Sequence, residues 1–261
     1  MHLESEDFKK KGNVEVVSQG EDKNFITLTE DWMKASAENN YSYHFEWLGL
    51  PIIQYPQDMV AMQQIIWKLK PDLIIETGVA RGGSVLFYAS MLELISSCNG
   101  NSDARILGID IEIRKGNYEA INNHPLSKRI DLIEGSSIDH DIYEKVKKYA
   151  KNYKKILVCL DSNHTHEHVF KELMLYSKFV SKGSYCVVFD TIVEKLPGIF
   201  DKNRAWGSSN NPQTAVDEYL KRISINDLLD FDGKPIKFSV DRNITNSIMI
   251  TVAPGGYLLR D

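Results

Sequence analysis

The sequence predicts an α/β protein built on a mostly parallel sheet, and three observations carry the prediction. After Pro71, short β-branched apolar runs alternate with segments of helical spacing, the rhythm of βαβ units. The first run ends in a glycine-rich turn that opens directly into a helical segment. Three later runs end in Asp110, Asp161 and Asp190, at the strand ends where open α/β sheets bind their ligands.

Residues 1–70 read as an irregular N-terminal arm, with a charged start and then an aromatic-rich patch of Trp32, Tyr41, Tyr43, Phe45 and Trp47. Such density marks core packing more often than a binding platform. The stretch 47–56 is apolar but broken by Pro51 and Pro56, which predicts extended chain ahead of a helix beginning near Asp58. The arm is expected to act as a substrate lid or an oligomer contact.

Residues 71–261 form the second unit, with strands expected at 72–77, 106–111, 130–134, 156–161 and 185–190. Helices are expected to start near Ser84, Asn117, Asp139 and Thr165. Val169, Leu173, Tyr176 and Val180 recur at steps of three and four, the stripe with which a helix covers a sheet. Residues 197–212 are rich in Gly, Asn and Ser, and a loop of that length is uncommon unless functional or disordered. A further helix is expected over 213–223. The last two strands are expected at 236–240 and 247–252, too close together for a crossover helix and so antiparallel.

Composition narrows the function. Hydrophobic residues make up 43% of the 261, and with 16 glycines the apolar share is that of an ordinary soluble globular protein. A formal net charge of −5 leaves no global basic field to collect nucleic acid. Apolar runs such as 156–160 and 185–189 fall far short of the roughly 18 residues that span a bilayer. Glu4, Glu6 and Asp7 interrupt what a secretory leader would need, so a cytoplasmic location is expected. Of Cys98, Cys159 and Cys186, two lie inside β-branched runs as buried thiols, with no disulfide framework or zinc motif.

The first chemical motif is Glu76-Thr77-Gly78-Val79-Ala80-Arg81-Gly82-Gly83-Ser84, a turn between strand and helix that lets a ligand approach the backbone. Gly78, Ala80 and Gly83 nearly imitate a dinucleotide fingerprint, a pattern with a high false-positive rate alone. Glu76 discriminates further: its carboxylate would repel a pyrophosphate but suits a cationic amino group or a sulfonium. This favours S-adenosylmethionine over NAD, against the plainer reading of a tight turn with an incidental acid. Asp110 can accept hydrogen bonds from both ribose hydroxyls, which serves either cofactor. Ser137, in Gly135-Ser136-Ser137, offers a hydroxyl or backbone N–H to an adenine edge, or an N-cap to the following helix.

The second constellation is Asp161-Ser162-Asn163-His164-Thr165-His166-Glu167-His168, together with Asp190. If the two strands are neighbours, their ends lie about 4.8 Å apart and two carboxylates reach one hard divalent ion, magnesium or calcium-like. The alternative is a pair of helix-capping aspartates. Histidine is the side chain whose reference pKa lies close to neutral pH, which makes His164 a candidate proton acceptor. His164 and His168 share the i, i+4 spacing of zinc sites, but no His-Glu-x-x-His arrangement accompanies them. His166 and His168 read as solvated side chains of a first helical turn.

Together with Val188-Phe189-Asp190-Thr191, Asn211-Pro212, Ala215-Val216 and Ala253-Pro254-Gly255-Gly256-Tyr257-Leu258, these strings resemble the cephalosporin hydroxylase and rhamnosyl O-methyltransferase family, from about Trp47 to the C-terminus. The resemblance implies a Rossmann-like class I methyltransferase fold, a seven-stranded sheet with an antiparallel last strand. It implies an S-adenosylmethionine site at Glu76, Gly78, Ser84, Asp110, Ser137 and Asp161, and magnesium at Asp161 and Asp190. His164 falls at the position of the general base, with Asp161 beside it in catalysis. Such enzymes often carry an acid just before the strand-end aspartate, where this chain has Phe189.

The expected activity is therefore a magnesium-assisted O-methyltransferase acting on a hydroxyl of a sugar, glycan or small natural product. Its rivals are an NAD-dependent oxidoreductase and a cofactor-binding protein whose metal site has decayed at Phe189. The aromatic, proline-punctuated arm predicts a homo-oligomer.

Overall fold

Helices α1 (His2–Glu21) and α2 (Lys23–Glu38) lead into a small hairpin, β1 (Phe45–Trp47) and β2 (Leu50–Ile52), and then α3 (Pro56–Leu69). The βαβ region follows as β3 (Leu73–Thr77), α4 (Gly83–Ser97), β4 (Arg105–Asp110), α5 (Lys115–Asn122), β5 (Ile130–Glu134), α6 (His140–Ala150), β6 (Ile156–Leu160), α7 (His166–Tyr176) and β7 (Tyr185–Val188). The chain closes with α8 (Ile192–Lys195), α9 (Pro212–Ser224), β8 (Phe238–Val240), α10 (Arg242–Ile248) and β9 (Tyr257–Arg260). This is a computed structural model, and it describes residues 2–225 and 228–261.

The central strands are apolar without alternation because both faces are covered. Every residue of β3, β6 and β7 is buried, as expected of parallel strands between helical layers. One layer packs α3 and α4 against Ile74, Ile106, Leu157 and Val187. The other packs α6, α7 and α9 against Ile75, Leu107, Val158 and Cys186. Val169, Leu173, Tyr176 and Val180 all face this second layer, so the helical stripe was read correctly.

The sheet order is β5-β4-β3-β6-β7-β9-β8, with β9 antiparallel to both its neighbours and the rest parallel. This is the expected seven-stranded sheet with a reversed last strand. The chain order switches direction at β3, which lies between β4 and β6, so a crevice opens at the ends of β3 and β6. Gly256 is required by the reversed strand: a Cβ there would fall 1.8 Å from the Val188 carbonyl oxygen.

Two expectations are corrected. The arm is not irregular but largely helical. Asp22 caps α2 by accepting hydrogen bonds from the Asn24 and Phe25 amides. In α1, Phe8, Val14 and Val17 are scattered and exposed, so no apolar stripe announces the helix. The arm's aromatics do pack together, Trp32 with Tyr41 and Tyr55, and Trp47 against Phe87.

The strand expected at 247–252 is also absent: that stretch holds the end of α10, a left-handed Met249 (φ 55°) and a non-strand segment, and the last strand is β9. The physical reason is Asp58, fully buried on α3. It accepts hydrogen bonds from the Thr251 hydroxyl and the Val252 amide, while the Val252 carbonyl accepts from Ile192 N–H. The β-branched run thus spends its polar groups on helices rather than on a neighbouring strand. Burial lifts the Asp58 carboxyl to about 6, against the hydrogen bonds from Thr251, Val252 and Tyr257.

Candidate active site

The glycine-rich turn after β3 is built by close approach. Gly78 and Gly82 hold φ near +90°, and a Cβ on Gly78 would lie 2.0 Å from the Asp161 carbonyl oxygen. Gly83 sits against the arm, where a Cβ would fall 2.3 Å from the Pro51 carbonyl oxygen. Asp110 braces the turn from the neighbouring strand: its Oδ2 accepts from the amides of Val79 (2.8 Å) and Ala80 (2.9 Å), and its Oδ1 from the amide of Glu112.

Glu76 lies fully buried beneath this turn. Its Oε2 accepts the Ser84 hydroxyl at 2.9 Å, and its Oε1 has no partner among the described residues. Burial pushes the carboxyl up to about 8, opposed by the Ser84 hydrogen bond and reinforced by Asp110. Ser84 lines the crevice and Glu76 stands behind it.

Beside the turn, β6 and β7 pair in parallel, as the metal argument required. Asp161, His164 and Asp190 converge there, each offering a ligand atom within 4.8 Å of the others. His164 Nε2 is 3.1 Å from Asp190 Oδ2. Burial and the nearby Asp190 carboxylate hold Asp161 well above the usual carboxylate range. A divalent cation is the natural counter-charge for such a pair. Asp190 holds a left-handed backbone, φ 56°, a strained state for a non-glycine residue that recurs at functional positions. Phe189, just before it, presents no ligating atom.

A cavity of about 330 Å³ covers this cluster, and its wall includes Tyr43, Gln54, Ser84, Asp161, Asp190 and Trp206. A second, of about 250 Å³, opens over the ends of β4 and β5 between Asp110, Ser136, Ser137 and His168. Gly78 and Ser162 line both.

Ser137 caps no helix, since the N-cap of α6 is Asp139. Its hydroxyl donates instead to Glu172 Oε1 at 2.6 Å, as does that of Ser162 at 2.7 Å, and His168 Nε2 lies within 3.2 Å of both hydroxyls. The buried Glu172 escaped the sequence reading, although its i, i+4 spacing from His168 was the available signal. The two histidines expected in solvent are in fact engaged. His166 contacts the Thr214 hydroxyl at 2.8 Å and Glu218 at 3.1 Å, which ties α7 to α9. The long loop folds over the site, with the Trp206 ring edge-on to His164 at 4.7 Å.

This geometry has known relatives. Residues 39–261 match the family model described as rhamnosyl O-methyltransferase/CmcI. The rhamnosyl O-methyltransferase of Mycobacterium tuberculosis (strain ATCC 25618 / H37Rv) is 27% identical over 219 residues, which cover 82% of this chain and 78% of that protein. Among solved structures, CmcI with magnesium and S-adenosylmethionine superposes with a TM-score of 0.52 at 20% identity, over 84% of this chain and 77% of that one. An O-methyltransferase from Bacillus cereus in complex with SAH gives 0.51 at 13% identity, over 88% and 86%. These two likenesses concern the fold, whereas the family match takes in the arm's hairpin, the glycine turn and all three residues of the acidic cluster, so the chain belongs to the rhamnosyl O-methyltransferase/CmcI family.

Proposed function

We propose that the protein is an S-adenosylmethionine-dependent, magnesium-assisted O-methyltransferase acting on a hydroxyl of a sugar, glycan or small natural product. The observation that carries this reading is the convergence of Asp161, His164 and Asp190 on the wall of the same cavity as the glycine turn. Family membership supports it, and the mycobacterial relatives named rhamnosyl O-methyltransferases make a deoxysugar hydroxyl the first acceptor to try.

The residues present fit both groups. The carboxylates of Asp161 and Asp190 are oxygen donors for a hard divalent ion, and the two cavities meeting at Gly78 suit a nucleoside carrying a second polar end. Gly78, Ser84, Asp110 and Ser137 would hold the cofactor, with Glu76 positioning Ser84. Asp161 and Asp190 would hold magnesium. When bound, the metal lowers the pKa of a coordinated hydroxyl. His164 accepts the hydroxyl proton, and the Asp190 carboxylate 3.1 Å from its Nε2 stabilises the imidazolium so formed. The cavity walls hold acceptor and sulfonium methyl in line, which removes much of the entropic barrier.

A second role for His164 is favoured by its 3.1 Å approach to Asp190: it is placed to be a third metal ligand where Phe189 contributes none. The arm acts as a lid over the acceptor, supported by Ser42 and Tyr43 in the cavity wall. Self-association is part of the same proposal, supported by exposed Phe8, Val14 and Leu28 on the arm, and sedimentation tests it. Among the described residues no helix is long and apolar enough to cross a membrane.

The deciding experiment is separate calorimetric titration with S-adenosylmethionine and NAD, followed by a methyl-transfer assay on a rhamnosyl acceptor with magnesium or EDTA. S-adenosylmethionine binding and metal-dependent transfer are expected. Binding of NAD alone would overturn the proposal in favour of the oxidoreductase.

A further inference from the structure

Gln54 is a buried carboxamide with nothing to bind. It follows β2 on the segment that leads into α3, is only 4% exposed, and neither its Nε2 nor its Oε1 has a hydrogen-bond partner among the described residues. Folds rarely tolerate an amide that is both dehydrated and unpaired, so such a group points to a partner outside the chain. Gln54 lines the larger cavity, the one that also holds Ser84 and Asp161.

Its place relative to the glycine turn narrows the partner. The backbone of Pro51 and Ile52 is pressed against Gly83, where a Cβ would lie 2.3 Å from one and 2.6 Å from the other. Gln54, two residues on, is therefore carried to the side of the turn where Gly83 and Ser84 begin α4. A ligand with its nucleoside in the smaller cavity passes Gly78 and Ser162, which border both, and brings its other end to this wall. A carboxamide offers one acceptor and two donor hydrogens side by side. An α-amino acid group, ammonium beside carboxylate, is the matching partner.

We propose that Gln54 reads the amino-acid end of S-adenosylmethionine, its Oε1 accepting from the ammonium and its Nε2 donating to the carboxylate. This rests on the cofactor reading given above. Gln54 is thus the residue that separates the cofactor from nucleosides lacking the amino acid.

The test is calorimetric titration with S-adenosylhomocysteine and with 5′-methylthioadenosine, which keeps the nucleoside and thioether but has no amino-acid group. In Gln54→Met, affinity for S-adenosylhomocysteine should fall about 10–100-fold, the loss of hydrogen bonds to charged groups. Affinity for methylthioadenosine should stay within about twofold of wild type. Removing the unpaired amide should leave the ligand-free melting temperature unchanged or raised. Gln54→Glu, which keeps an acceptor but faces the ligand carboxylate with a negative charge, should show the same selective loss. Unchanged S-adenosylhomocysteine affinity in both variants overturns the assignment, as does an equal loss for both ligands. A wild-type protein that binds neither ligand overturns the cofactor reading itself, a separately recognisable result.

Discussion

His164 Nε2 lies 3.1 Å from Asp190 Oδ2, although the two residues leave different strands, because β6 and β7 are adjacent and Asp190 turns through a left-handed backbone. With Asp161 at the head of the same loop, a base and two carboxylates share one small volume. If Asp161 and Asp190 hold the cation and His164 is the base, as proposed, proton transfer and cation binding are coupled at this site, and substitutions must be read on both.

His164→Ala should depress turnover by about 10²–10⁴-fold while leaving cofactor affinity nearly intact, because a general base acts on the transition state. An unchanged magnesium concentration for half-activation assigns His164 as the base, and a raised one assigns it as a metal ligand. Asp161→Asn should abolish metal dependence together with most activity. Assays over a magnesium series, with cofactor binding measured in parallel, check both. Full turnover in excess EDTA by a metal-free preparation would remove magnesium from the mechanism.

What could be read in advance was whatever sits at a strand end. Gly78, Asp110, Asp161 and Asp190 each follow a β-branched run, and a fully covered parallel strand announces itself by composition alone. The meeting of Asp161 with Asp190 depends on strand order, which the βαβ rhythm left open and the structure supplies by placing β6 beside β7. The remainder depended on partners far away in sequence. Asp58 draws off the polar groups of 251–252 from 193 residues away, so a run of strand-like composition gave no strand. Ser137 and Ser162 turn to a buried Glu172 that only tertiary packing brings near them. Among its described side chains α1 has no buried stripe and hence no periodicity to read.

Asp110→Ala should weaken S-adenosylhomocysteine binding by about 1.5–3 kcal/mol, the value of hydrogen bonds to a charged group. Part of the loss comes through the turn, since the same carboxylate holds the Val79 and Ala80 amides. Methylthioadenosine should weaken equally, because Asp110 serves the nucleoside end. Titration of both ligands checks this, and unchanged affinity rejects the ribose assignment.

Glu76 links stability to pH. Its carboxyl is raised from 4.5 to about 8, chiefly by burial, so the folded chain keeps a proton that the unfolded chain releases above about pH 4.5. The stability this proton confers is complete below pH 4.5 and is lost as pH rises through 8. The loss is on the order of 5 kcal/mol at most, by the cost of a pKa shift of this size. Glu76→Gln has no proton to lose and can still accept from Ser84. Denaturant unfolding of the ligand-free proteins at pH 5 and pH 8 should show a smaller fall for the variant. Equal falls would show that Glu76 is not the titrating group.

Trp206 gives the long loop a specific task. Its ring meets His164 edge-on at 4.7 Å, with the Arg204 guanidinium 5.3 Å from its centre. The end of the loop is pinned where Asn211 caps α9, accepting from the Gln213 and Thr214 amides and donating to the Gly207 carbonyl. The segment carrying Trp206 is thus anchored at one end and closes the cavity above Asp161, His164 and Asp190. Trp206 borders the larger cavity but not the smaller one. Trp206→Ala should therefore raise the KM for the acceptor and leave affinity for methylthioadenosine, whose nucleoside lies in the smaller cavity, unchanged. The lost edge contact is worth about 0.5–1.5 kcal/mol, so the fold should tolerate it, and Trp206→Phe should recover most of the acceptor affinity. An equal loss of cofactor and acceptor binding would mean that the loop orders the whole crevice instead of forming the acceptor wall.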